Sequence, residues 1–210
     1  MLLENIIQFL LVLVVAIVIH EMSHAWVSNL LGDNTAKLYN RISFNPLQHI
    51  DLFMTVLLPL FLAIIGMPVF GGAKPVLVNK RKIKYGDYGV ALVALAGPLS
   101  NLLLSLVSFG AMVLVNQNQS AWLISTLALS VLINLNFFLF NILPVPPLDG
   151  SRLIYAFAPF KLQELMTKIE RYGLVVIFIL ILLLDSLMSK YFTAGQKFFI
   201  DLYQTIFGVV

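Results

Sequence analysis

The residues with the most chemistry to offer stand together near the start of the chain, in IVIHEMSHAW: His20, Glu21 and His24. On an α-helix, positions i and i+4 lie one turn apart on one face, so both imidazoles can reach a single ion. Imidazole nitrogens suit zinc, and a catalytic zinc keeps three protein ligands plus an open position for water. Glu21, next to the first histidine, can then take a proton from that water. Two histidines leave the ligand set one short. His49 is the only other histidine. Among the acidic residues, Asp149 stands out in FNILPVPPLDGSRL, where Pro144, Pro146 and Pro147 end an apolar segment and Gly150 lets the chain turn. Asp149 also has a plainer reading, as the N-cap of a helix beginning at Gly150 or Ser151.

The elements that carry these groups are membrane-spanning. Of 210 residues, 60% are hydrophobic and 11% charged, and mean hydropathy is +0.95. A soluble domain carries about 25% charged residues, and disorder needs low hydrophobicity, so both classes are excluded. Cysteine is absent, which removes disulfides, thiolate nucleophiles and Cys-ligated metals from consideration. Apolar runs long enough to span fall at about 5–31, 89–115, 121–143 and 172–189. The first lacks a basic n-region, so it reads as a retained span and not a cleaved signal. A carboxylate and two imidazoles inside it cost on the order of 2–3 kcal/mol for the charged group alone, which makes a functional role the default. The bland alternative is a polar cluster near the helix end, since Leu31 lies only about 10 Å beyond His24.

A further apolar stretch, 52–70, carries Pro59, Gly66 and Pro68. If it crosses, Lys and Arg sort nine against four across the membrane; if it dips and returns, they sort eleven against two, from the same 13 residues. The second arrangement follows the positive-inside rule better. It places the N-terminus outside and brings Asp149 and the histidine pair to one cytoplasmic side, which favours Asp149 as the third ligand. The expected element is therefore re-entrant or a broken helix. Residues 71–79 read as a short extended hairpin, followed by the basic stretch Lys80 to Lys84. The net charge of +3 reports loop orientation and gives no sign of nucleic-acid binding. Asp185 reads as a helix end. The expected architecture is a single all-α polytopic membrane domain over 1–210, with a metal-site core at about 5–155, a C-terminal helix at 172–189 and an interfacial tail at 191–210.

These motifs resemble the site-2 proteases, intramembrane zinc metalloproteases. HEMSH looks like the family's HExxH, and NILPVPPLDG like its NxxPxxxLDG. FNPLQHID (44–51), FGGAKPVLVN (70–79) and ALAGPLSN (94–101) resemble the compact branch that has neither PDZ nor CBS domains. The likeness runs from about residue 15 to 155. It departs at Gly71-Gly72, where a bulkier second residue is expected. The resemblance implies one zinc per chain held by His20, His24 and Asp149, with Glu21 as catalytic base. It implies that Asn141 contacts the substrate backbone or steadies the oxyanion. Asn141 can instead serve as a hydrogen bond between helices, together with Asn134 and Asn136 on the same span. Gly97, Pro98 and Asn101 could kink the second span, and Ala91, Ala94, Ala96 and Gly97 permit close helix approach. His49 reads as structural or as a neighbour of the site.

The implied reaction is peptide hydrolysis within or next to transmembrane segments of a membrane-protein substrate, in a prokaryotic cell (inner) membrane with the site towards the cytoplasm. An unwound substrate could add as a strand to 71–78, with Val76 and Val78 contributing. Two rivals are a zinc transporter or binding protein and a catalytically inactive relative. A transporter needs ligands at several depths, and the spans after the first contain no Glu; the intact Glu21 speaks against an inactive relative. The sequence has no signature of oligomeric state or substrate identity.

Overall fold

The computed structural model describes residues 2–64, 72–74, 76–115, 120–183 and 185–209. Its described residues are helical or irregular, with no strand among them. Three helices are long and apolar enough to cross a bilayer: α1 (Leu2–Leu30), α4 (Gly86–Leu114) and α5 (Ala121–Asn141). Between α1 and α4 lie the short α2 (Thr35–Leu38), a 3-10 turn at Pro46–Gln48, a π-helical stretch at Leu52–Leu57 and α3 (Leu58–Ile64). After α5 come α6 (Gly150–Phe157), α7 (Phe160–Glu170), α8 (Gly173–Leu183) and α9 (Asp185–Phe207). The α8–α9 pair bends by 84° and supplies a fourth span only if the two count as one.

Helix α4 is the hub, packed against α1, α5, α6 and α9. Its buried positions are small or polar on the side facing α1 and α5: Ala91, Ala94, Gly97, Asn101, Ser105 and Ser108. Small residues let membrane helices approach closely enough for dispersion and interhelical hydrogen bonds to hold them. One apolar cluster joins α1 to α5 through Val12, Ala16 and Ile133. Another, Phe109, Val131, Leu135 and Tyr203, joins α4, α5 and α9. The outer faces stay apolar, with Leu10, Leu92, Leu103 and Leu132 exposed where lipid replaces protein contacts.

Helix α1 ends in a Schellman motif. The Gly32 and Asp33 amides donate to the Asn29 and Ser28 carbonyls, and Gly32 has φ +105°, where a side chain would be strained. Asp33 is fully buried just beyond it. Its carboxylate accepts from Ser28 Oγ, Thr35 N, Thr35 Oγ1 and, at 2.6 Å, Asn79 N. One side chain thus ties the end of α1 to the far end of the 72–79 segment. The near end is held by backbone bonds, Gly72 N to Met54 O at 3.0 Å and Lys74 N to His49 O at 2.8 Å.

Those bonds bring the chain back beside its own entry point after the apolar 52–64 stretch. The 13 helical residues described there reach about 20 Å at 1.5 Å each, short of the roughly 30 Å hydrocarbon core. The expected hairpin at 71–79 does not form a strand ladder among the described residues; Gly71 and Pro75 lie outside them. Residues 76–78 run without a backbone partner among the described residues, while the Val78 side chain packs with Ile83, Val90 and Val93. A ladder needs a second strand, and none is present there among the described residues.

The C-terminal region also differs in its boundaries from the expected division. The end at 189 falls inside α9, which follows α5 and α4 over several turns. Tyr191 Oη donates to Leu139 O, Gln196 Nε2 to Asn136 Oδ1, and Tyr203 and Phe207 pack on Phe109. Gly195 and Gly110 make room, since a Cβ at either would fall within 2.7 Å of Leu139 or Phe207.

Candidate metal centre

His20 and His24 come from one face of α1, as their spacing requires, and both are buried. Their Nε2 atoms lie 3.0 Å apart. Asp149 approaches from the start of α6, its Oδ2 at 3.2 Å from His20 Nε2 and 3.3 Å from His24 Nε2. The turn that delivers it depends on Gly150, because a Cβ there would sit 2.1 Å from the Ile142 carbonyl oxygen. Asp149 occupies the N-cap position of α6, yet its side chain makes no capping hydrogen bond. Of the two readings open in the sequence, the structure therefore shows the carboxylate turned to the histidines.

The donor set fits zinc. His24 Nδ1 lies 2.7 Å from the Val93 carbonyl, an oxygen that can only accept, so Nδ1 carries the proton and Nε2 presents a lone pair. His20 Nδ1 lies 2.6 Å from Asn101 Oδ1, which gives His20 the same tautomer. Two imidazole lone pairs and a carboxylate oxygen then converge with only mutual repulsion between them. A cation at their centre resolves this. The edges of the triangle also match the spacing of about 3.3 Å between ligand atoms on one face of a tetrahedron with bonds of about 2.0–2.1 Å. No other group of three metal-ligating side chains occurs among the described residues.

Glu21 is half-buried on the next position of α1, and its carboxylate makes no hydrogen bond or ion pair among the described residues. Asn141 sits at the end of α5, where its Nδ2 donates to the Phe137 carbonyl at 3.0 Å, leaving Oδ1 without a partner among the described residues. Asn134 and Asn136 do form hydrogen bonds between helices, to Asn101 and Gln196. His49 is fully buried in the turn below 52–64, with Nε2–H donating to Ser43 O at 2.8 Å, away from the triangle. Asp51 accepts from the amides of Phe53 and Met54 and so caps the π-helical stretch.

Two features of the site escaped the sequence reading. One is Asn101 as the partner of His20; the other is Gly97, where a Cβ would fall 2.3 Å from His24 Nε2 and 2.7 Å from His20 Cε1. Val93, Gly97 and Asn101 recur every four residues on α4, the same period as the histidine pair. That shared period was the available signal.

Comparison with known proteins places these residues in context. The model of Peptidase family M50 matches residues 110–184, a stretch that includes Asp149 but begins after the histidine pair. The chain is 35% identical over 204 residues to "Putative zinc metalloprotease YwhC" of Bacillus subtilis (strain 168), covering 93% of this chain and 90% of that protein. It is 26% identical over 193 residues to "Putative zinc metalloprotease Rip2" of Mycobacterium tuberculosis (strain ATCC 25618 / H37Rv), covering 90% of this chain and 71% of that protein. The protein of the same name from Mycolicibacterium smegmatis is 23% identical over 184 residues, covering 87% of this chain and 69% of that protein. No solved structure matches the chain.

Proposed function

Because the chain belongs to peptidase family M50, the site-2 protease family of zinc metalloproteases, and is an integral membrane protein, we propose that it hydrolyses peptide bonds within or next to transmembrane segments of membrane-protein substrates. The observation that carries this reading is the triangle of His20 Nε2, His24 Nε2 and Asp149 Oδ2, whose edges are 3.0, 3.2 and 3.3 Å. These three side chains hold the zinc. When bound, the metal supplies Lewis acidity towards a scissile carbonyl and acidifies water towards a pKa of about 7.

Glu21 takes the proton of the attacking water and delivers it to the leaving amine. Its free carboxylate on the helix that supplies both histidines supports that role. Asn141, which ends α5 and whose Oδ1 has no partner among the described residues, contacts the substrate backbone. A helical substrate hides its carbonyls in i→i−4 bonds and must be unwound first. The backbone at 76–78, unpaired among the described residues, receives the unwound segment as an added strand, and Val78, packed inward, keeps that edge in place.

The site faces the cytoplasm and the N-terminus lies outside. Return of the chain from 54 to 72 supports a re-entrant 52–70, which keeps the basic residues 74–84 on the side of the histidine pair. Tyr191 bonds Leu139 at the metal-site end of α5, so Lys190 beside it joins that charged side.

Zinc content of the purified chain tests the ligand set. One zinc is expected in the wild type and in Glu21→Gln, and much less in His24→Ala and Asp149→Ala. An Asp149→Ala chain that holds zinc as tightly as wild type removes Asp149 from the set, and a wild type without zinc removes the protease reading of the site.

A further inference from the structure

We propose that Asn101 is a positioning residue for His20, oriented by Asn134, and that its Oδ1, the acceptor for His20 Nδ1, sets the metal affinity of the site. The inference rests on the zinc reading above. Asn101 and Asn134 are both fully buried at membrane depth, on α4 and α5. Asn101 Oδ1 accepts from His20 Nδ1 at 2.6 Å. Its Nδ2 donates at 3.2 Å to the carbonyl of Ala16, one turn before His20, and at 2.8 Å to Asn134 Oδ1. Asn134 Nδ2 donates in turn to Ser130 O at 2.9 Å and Ser130 Oγ at 3.3 Å, and Ser130 Oγ pairs with Ser108 Oγ at 2.8 Å.

Backbone carbonyls terminate the network at Ala16 and Ser130, and a carbonyl can only accept. Each amide must therefore turn its NH2 group towards a carbonyl, which leaves each Oδ1 facing the next group along. The order runs one way, from Ser130 through Asn134 and Asn101 to His20. A flipped Asn101 would lose two acceptors and present NH2 to the imidazole. His20 is thus fixed with its proton on Nδ1 and its Nε2 lone pair directed at Asp149 and His24. His24 obtains the same result from the Val93 backbone, so only the His20 side of the site depends on side chains.

Groups that accept from the remote nitrogen of a metal-bound histidine raise its basicity and fix its ring. Their removal typically lowers metal affinity 10–100-fold. Simple helix-to-helix adhesion predicts something else, because adhesion uses the Asn101 donor as well as its acceptor. Asn101→Asp keeps an acceptor for His20 and abolishes the donor to Ala16 and Asn134. Asn101→Leu abolishes both.

The test measures zinc affinity by chelator competition on detergent-solubilised protein, beside the melting temperature of the metal-free chain. Asn101→Leu should bind zinc about 10–100-fold more weakly than wild type. Asn101→Asp should stay within about threefold of wild type in zinc affinity while melting lower without metal. Wild-type affinity in Asn101→Leu, or equal loss in the Leu and Asp variants when both fold, overturns the proposal. Should neither variant fold, the imidazole nitrogen spectrum of the zinc-loaded His49→Gln chain decides. Both remaining histidines must coordinate through Nε2 with Nδ1 protonated, and coordination of either through Nδ1 overturns it. If the wild type takes up no zinc at all, the failure lies with the metal site itself and not with Asn101.

Discussion

Gly97 shows how much the site depends on one missing side chain. A Cβ there would fall 2.3 Å from His24 Nε2 and 2.6 Å from His24 Cε1, closer than any real packing contact, and the obstacle is a ring with its own fixed hydrogen bond. Gly97→Ala should therefore displace both imidazoles, and zinc per purified chain should fall well below one while the helical content stays as in wild type. Glu21→Gln addresses the chemistry alone. It leaves the three donor atoms in place, so zinc should stay bound while cleavage of a transmembrane substrate drops by about 10²–10⁴-fold, the usual weight of a positioned general base. A Glu21→Gln chain that still cleaves at the wild-type rate assigns the base elsewhere.

Two short elements, the end of α1 and the 72–79 segment, work as a unit because Asp33 joins them. Burial pushes the Asp33 carboxyl up, but the donors from Thr35, Asn79 and Ser28 outweigh it and hold the group below its ordinary range. A carboxyl with a lowered folded pKa contributes stability that is complete above the unfolded value, about 3.9, and fades as pH falls through the folded one. Asp33→Ala should cost about 2 kcal/mol, the weight of hydrogen bonds to a buried charge, and should flatten the acid side of the melting profile. Equal melting curves for the two proteins between pH 3 and 7 would remove Asp33 from this role. Along the same segment, Val78→Pro should slow cleavage while leaving zinc bound, because a proline cannot offer its N–H to an added strand. Val76→Pro should act likewise. Full activity in both variants rules out strand addition at 76–78.

At the scale of the molecule, the absence of cysteine makes the topology directly measurable. Single cysteines at Leu47, Lys82 and Ser120, all on exposed positions, can be labelled from either side of sealed vesicles. A re-entrant 52–70 places Leu47→Cys and Lys82→Cys on one face and Ser120→Cys on the other. A crossing segment separates Leu47→Cys from Lys82→Cys. The metal centre itself lies roughly 9 Å inside the C-terminal end of α1, six residues from Leu30.

Local spacing settled what could be read from the chain alone. Apolar runs marked α1, α4 and α5 because a bilayer demands about 20 such residues. The i, i+4 histidines and the lone proline-flanked Asp149 marked the candidate ligands, since so few polar groups were available at membrane depth. For Asp149 the cap reading was outweighed only by the expected topology, and the tertiary structure turns its carboxylate to His20 and His24. Tertiary structure alone decided the rest, namely that Asn101 would meet His20, Val93 would meet His24, Asp33 would meet Asn79 and α9 would follow α5. Each of those contacts joins residues 46 or more positions apart, or helices whose apolar faces have no preferred partner in lipid. Hydropathy says that such a face is buried in something apolar. Only small residues, amides and carbonyls meeting across the bundle determine which helix that something is.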